Sequence, residues 1–232
     1  MGFLSIIMAW SVDQIYSYMR FLVRKNQSGS ISSTEFFNTW NSEQNAMHTD
    51  LVGKWQAAAA GRVGAGNQGF VENELITTKM APFTIPTTLA IAAGQATKPT
   101  DFVYTLALRI NDTKVFKVNH DQIWAVKQDV IDPPSITDDS YYYTEYLDYY
   151  SFLPTTVTSV DLDYIAAPTD IVWGFTIDGA GRQVYNAGTS VQPKWKQSTI
   201  IEITRRCLKQ LGVSYKEADF IQYGESVIKQ GD

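Results

Sequence analysis

The stretch FVYTLALRINDTKVFKV, residues 102–118, decides the fold class of this chain. Phe102, Tyr104, Leu106 and Leu108 alternate at the two-residue period of a strand, Asn111-Asp112 is a turn candidate, and Val115-Phe116-Lys117-Val118 returns as the hairpin partner. Downstream, Ile123 to Val126, Ser159 to Ile165 and Ile171 to Ile177 are further strand candidates, the last ending at the turn Asp178-Gly179. The middle of the chain therefore reads as a sheet.

Outward from that centre the period changes. On the amino-terminal side, Ser11 and Gln14 form a capping box, and Ile15, Met19, Leu22 and Val23 follow at helical spacing up to Arg24 and Lys25. A turn at Asn26 to Ser30 leads to a second capping box, Ser32 with Glu35, with Ile31 and Phe36 placed as its hydrophobic staple. Phe36, Phe37, Trp40, Met47, Leu51 and Trp55 carry the apolar side of the next helix through Ala60, and the polar run Asn41 to Asn45 is expected to interrupt it. Gly61 to Gly69 holds four glycines, and Phe70 to Lys98 is rich in Thr, Pro and Ala without periodicity, so it reads as extended chain or loop. On the carboxy-terminal side, Ile200, Ile203, Cys207, Leu208 and Leu211 line one helical face and Gly212 stands where a left-handed cap is wanted. Ser214 and Glu217 open a last helix bearing Phe220, Ile221, Val227 and Ile228.

These signals predict an α+β protein with amino-terminal helices, a central, mainly antiparallel β-sheet and a carboxy-terminal αα-hairpin. The corresponding regions are 1–60 (helical), 61–98 (an extended loop or arm), 99–192 (β-rich) and 193–232 (helical hairpin), read as one integrated domain.

Composition narrows the function classes. A formal charge of −5 and a pI near 5.1 argue against a protein that grips nucleic acid, which needs many cations to displace phosphate counterions. One cysteine, Cys207, makes no internal disulfide and fits a reducing, cytoplasmic folding environment. Phe3 to Trp10 is apolar but too short to cross a bilayer and lacks a preceding basic stretch, so neither a signal peptide nor a membrane anchor is expected. The sequons at Asn26 and Asn111 mean little without a secretory route.

Chemistry-bearing residues are sparse. Gly64-Ala65-Gly66-Asn67-Gln68-Gly69 matches the dinucleotide-binding glycine string, but it follows an alanine-rich helix instead of a strand and reads as a loop. Only His48 and His120 are neutral-pH base candidates, and no metal-ligand spacing accompanies them. His120 and Asp121 are sequence neighbours that point to opposite faces of a strand. Cys207 follows Arg205 and Arg206, which favour a thiolate, yet shares the apolar face with Ile203 and Leu211 and reads as a small buried hydrophobe. Asp161 and Asp163 point to one side of a strand, too few oxygens for a calcium site. No catalytic, cofactor-binding or metal-ligating residue is assigned, and the chain is read as non-catalytic.

The densest feature is Asp138 to Phe152, where Tyr141, Tyr142, Tyr143, Tyr146, Tyr149 and Tyr150 stand among acidic residues. Tyrosine offers large contact area with a polar tip, so these six are the candidate assembly interface; a β-rich core or a carbohydrate-stacking surface are the alternatives.

In the last third, Val160-Asp161-Leu162-Asp163-Tyr164-Ile165 with Ala167-Pro168, then Ile171-Val172-Trp173, Pro193-Lys194-Trp195 and Ile200 to Gly231 follow an order that resembles structural proteins of the head-to-tail region in crAss-like and related tailed phages of Bacteroidetes. The matching pieces include Tyr164-Ile165-Ala166-Ala167-Pro168, Leu211-Gly212-Val213, Gln222-Tyr223 and Lys229-Gln230-Gly231. The resemblance implies a virion protein made in the host cytoplasm and built into the neck or tail. It implies a ring or adaptor subunit of the portal–tail connector, a cyclic, dodecameric homo-oligomer contacting the portal and neighbouring ring and tail proteins. DNA would pass through the lumen only as cargo, no membrane would be involved, and no cofactor or catalytic residue is carried over.

Overall fold

Both amino-terminal helices begin as their capping boxes predict. The computed structural model describes residues 10–25, 29–60, 76–130 and 133–212. Ser11 N–H donates to Gln14 Oε1 (2.9 Å) while Gln14 N–H donates to Ser11 Oγ (3.2 Å), opening helix α1, Val12–Lys25. Ser32 and Glu35 repeat the exchange at 2.9 and 3.2 Å and open α2, Ser33–Ala60. Reciprocal capping satisfies amide donors that the first helical turn leaves without carbonyls.

Contrary to expectation, Asn41 to Asn45 does not break α2, which runs unbroken for 28 residues. The physical reason is that its polar side chains have partners. Asn41 Nδ2 donates to Ile171 O (3.2 Å) and Ile171 N–H donates to Asn41 Oδ1 (2.9 Å). Gln44 Nε2 donates to Thr169 O (3.2 Å), and Trp195 Nε1 donates to Gln44 Oε1 (3.3 Å). The polar run is thus the helix's docking face for irregular backbone that has no ladder of its own.

The chain clusters into two compact units instead of one integrated domain: Met1–Lys79 with Pro168–Asp232, and Met80–Ala167 inserted between them. In the first unit, the helix Gln197–Gln210 packs against α2 and α1, burying Ile200, Ile203, Cys207 and Leu208 completely. Gly212 caps it at φ +73° with its N–H on Lys209 O (3.1 Å), as predicted. This unit also carries a two-stranded hairpin.

The second unit is all but entirely β. Strands β1 (Thr84–Ala90), β2 (Gln95–Thr97), β3 (Phe102–Ile110), β4 (Thr113–Lys114) and β5 (Phe116–Lys117) are followed by a short helix α3 (Ile123–Lys127). Strands β6 (Tyr142–Glu145), β7 (Tyr149–Leu153) and β8 (Ser159–Ala166) complete it. One sheet has the order β1-β8-β3-β4, antiparallel throughout; the other is β2-β7-β6-β5, with β5 and β6 parallel. A single apolar cluster that includes Leu108, Val115, Tyr141, Tyr150, Phe152 and Leu162 draws on strands of both sheets. The hairpin β9 (Phe175–Ile177) and β10 (Gln183–Tyr185) and the helix α4 (Gln197–Gln210) belong to the first unit.

Four sequence expectations need correction. Asn111 and Asp112 do turn the chain, at φ 50° and 64°, but the returning strand changes sheets: Val115 N–H donates to Leu108 O (3.1 Å), whereas Phe116 N–H donates to Tyr141 O (2.9 Å). Ile123 to Val126 is helical, because so short an apolar run fits either period. The 61–98 arm is not an arm over its second half, since β1 and β2 lie inside the two sheets and their Thr/Pro-rich text is what a half-exposed edge strand tolerates. Of Ile171 to Ile177 only β9 is a strand, Val172 making an isolated bridge to Val191. The Gly64–Gly69 string and the last predicted helix from Ser214 lie outside the described residues. No helix among the described residues is long and apolar enough to cross a membrane.

Candidate assembly surface

The tyrosine segment divides by strand alternation. Tyr141, Tyr143 and Tyr150 are core residues, 0%, 8% and 0% exposed, so for them the assembly-interface expectation is overturned. Side chains on β6 and β7 point alternately to the two sheet faces, and one face is the apolar cluster. Burial raises the phenol of Tyr143 to about 12 and pushes that of Tyr150 up as well, and the Tyr150 hydroxyl shares a hydrogen bond with Thr105 (2.7 Å). Tyr142, Tyr146 and Tyr149 stay at the surface or half-buried. The rings of Tyr146 and Tyr149 stack on each other (4.5 Å, 9°), and Tyr142 lies beside Phe116 (6.2 Å). Half of the platform a glycan would need is therefore inside the protein.

The strongest polar cluster in this unit centres on Glu145. Lys98 Nζ donates to Glu145 Oε1 (3.0 Å) and Tyr146 O (2.7 Å), and stands over the rings of Phe102 (4.4 Å) and Tyr150 (4.9 Å). Lys117 Nζ donates to Glu145 Oε2 (2.6 Å). His120 Nε2 lies 3.0 Å from Glu145 O, with its ring edge against Tyr146 (4.6 Å). Burial acts to raise the Glu145 carboxyl, but the two ammonium groups outweigh it and hold the group below the usual carboxylate range. Chemically the cluster is a clamp across sheet edges: each charge is already spent on another. Sequence reading missed it because Lys98 and Lys117 are 47 and 28 residues from Glu145.

The remaining candidates are structural. Cys207 is fully buried and burial pushes its thiol up, the opposite of a reactive cysteine. Asp161 accepts from Thr88 Oγ1 (2.6 Å) and Asp163 from Arg109 (2.8 Å), so each carboxylate is taken by a neighbouring strand. His48 is buried on α2, its ring edge-on to Trp195 (6.3 Å). Among the described residues no His, Cys, Asp and Glu side chains cluster for a metal ion.

What the surface does offer is apolar. In the inserted unit, Trp124 (65% exposed) and Phe116 (52%) flank the β5 edge region, each with a lysine over its ring, Lys127 at 5.5 Å and Lys114 at 5.8 Å. In the other unit, Phe175, Ile177 and Val184 lie exposed on the β9–β10 hairpin. The hairpin rests on buried Trp173, whose ring lies against Phe175 (5.7 Å) and Tyr185 (6.1 Å) and whose Nε1 donates to Asp13 (2.9 Å). Its tip is stiffened by Asp178, which accepts from the backbone N–H groups of Ala180 and Arg182 and from Arg182 Nε (2.9 Å). Those contacts hold the Asp178 carboxyl below its ordinary range, the Arg182 backbone bond foremost. Only the β9 half was legible in the sequence; the alternation in Gln183-Val184-Tyr185 was the available signal for the other half. No protein-family model matches the chain, and no curated protein matches its sequence.

Proposed function

We propose that this chain is a non-catalytic structural subunit that assembles with copies of itself, as a ring or adaptor protein of a tailed-phage head-to-tail connector. The observation that carries the self-assembly reading is the apolar hairpin of β9 and β10. Singly scattered surface hydrophobes need no explanation, but Phe175, Ile177 and Val184 grouped on one short, stiffened hairpin form a surface that a partner would cover. A two-stranded hairpin is marginal by itself, so an added neighbour would stabilise it as well. The connector assignment is supported by the sequence resemblance running from Val160 to Gly231. In that role the portal and adjoining tail proteins are the other partners, and the acidic balance of the chain lets DNA slide past a lumen wall instead of sticking to it.

Negative-stain electron microscopy of the purified chain over a concentration series tests this. Ring-shaped class averages with a central hole are expected, and subunit counting gives the symmetry. A uniform monomer at every concentration would overturn the self-assembly reading.

A further inference from the structure

Strand edges in this chain are not treated alike. β1 is an edge strand, and its ladder to β8 continues as Ile91 N–H donating to Thr158 O (2.8 Å). Hydrogen-bonded pairs of an antiparallel ladder recur at every second residue, so Leu89, Thr87 and Ile85 bond β8, while Pro86, opposite Asp163, turns its nitrogen to the open edge. A proline there costs the ladder nothing and denies an incoming strand a donor.

The β9–β10 hairpin carries no such guard. Asn186 N–H donates to Gly174 O and Asp178 N–H to Arg182 O, both at 2.9 Å, so its bonded pairs are 174/186, 176/184 and 178/182. The backbone groups of Phe175 and Ile177 therefore point out of one edge, and those of Gln183 and Tyr185 out of the other. None of these residues is a proline or carries a charge. Phe175, Ile177 and Val184 are 39%, 69% and 48% exposed.

We infer that this hairpin is the contact through which copies of the chain join. The β9 edge of one copy pairs antiparallel with the β10 edge of the next, Phe175 opposite Tyr185 and Ile177 opposite Gln183. This rests on the self-assembly reading above and names its surface. A second copy fits because rotation about a ring axis preserves strand direction, so the order β9, β10, β9, β10 around the ring brings unlike edges together antiparallel. The same residues then face each other between copies as within the hairpin, which extends the row of Phe175, Ile177 and Tyr185 from copy to copy on one face. Two different edges on one element make a heterologous contact, the kind that closes a ring or propagates a filament.

Sedimentation of the full chain over a concentration series tests the contact. Ile177→Pro removes an outward N–H that the hairpin's own bonded pairs do not use, and is expected to weaken association at least tenfold with far-UV circular dichroism unchanged; Ile177→Val, which keeps the N–H, should associate as the natural chain does. Edge identity comes from cysteine pairing, since Thr176 and Val184 of adjoining copies would sit opposite each other at the close, non-hydrogen-bonded spacing. A mixture of Thr176→Cys and Val184→Cys chains should form disulfide-linked dimers, and neither variant alone should. Undiminished association of Ile177→Pro, or cross-linking of Thr176→Cys chains with themselves, would overturn the inference and leave the self-assembly reading standing. A natural chain that stays monomeric would sink both. Should Ile177→Pro fail to fold, the cysteine mixture decides alone: no cross-link in a mixture that assembles overturns the inference.

Discussion

Glu145 is where a single side chain does most for the inserted unit. It holds two lysines, one of which, Lys98, keeps only 7% of its side chain exposed. Removing the carboxylate leaves that ammonium buried without its counter-charge, and Glu145→Gln is expected to cost about 2 kcal/mol at neutral pH, measured by denaturant unfolding. The pH dependence has a definite sign. A carboxyl depressed in the folded chain contributes stability that is complete above the ordinary glutamate value, about 4.3, and is lost as pH falls through the folded value. The natural chain should therefore lose stability more steeply below about pH 4.3 than Glu145→Gln does. Equal acid slopes for the two would show that the clamp contributes nothing. None of this was legible beforehand: a glutamate in a tyrosine-rich segment looks the same in sequence whether it faces solvent or two lysines brought in from other strands.

At the scale of elements, helix starts were readable and strand interiors were not. Capping boxes join residues three apart, so Ser11 with Gln14 and Ser32 with Glu35 needed no tertiary knowledge. Strand β3 shows the contrast. Its pairing with β8 slips between Phe102 and Tyr104 and again between Thr105 and Ala107, so Phe102, Thr105 and Leu108 face Ala166, Tyr164 and Leu162. The simple alternation of Phe102, Tyr104, Leu106 and Leu108 fails because bulges add residues that only the partner strand reveals. Helix α2 supplies the testable case. Asn41→Ala would leave the N–H and C=O of Ile171 without their partner, at an expected cost of about 1–3 kcal/mol in chemical denaturation. Substitution of neighbouring, exposed Ser42 by Ala should change stability by less than about 0.5 kcal/mol, and similar losses at both positions would refute the docking role.

On the scale of the whole molecule, the insertion of Met80–Ala167 into the other unit makes a strong statement about folding. The inserted segment is continuous in sequence, has its own apolar cluster and closes its two sheets with its own strands. Residues 80–167 produced alone are expected to unfold in one cooperative transition with a dispersed amide spectrum; a non-cooperative melt would show that the unit borrows its stability from the rest of the chain.

What the sequence by itself determined is whatever is set within one or two helical turns: where α1 and α2 begin, the apolar stripe and glycine cap of α4, the Asn111-Asp112 turn, and the mixed α+β class. Only the tertiary structure decided which tyrosines are core, that the strand after β4 crosses to the second sheet at Val115, and that the Thr/Pro-rich stretch supplies two strands. The physical reason is that a side chain's face on a strand depends on register, and register is fixed by partners dozens of residues away, as Thr88 meeting Asp161 illustrates, whereas a helix carries its own hydrogen bonds and announces itself locally.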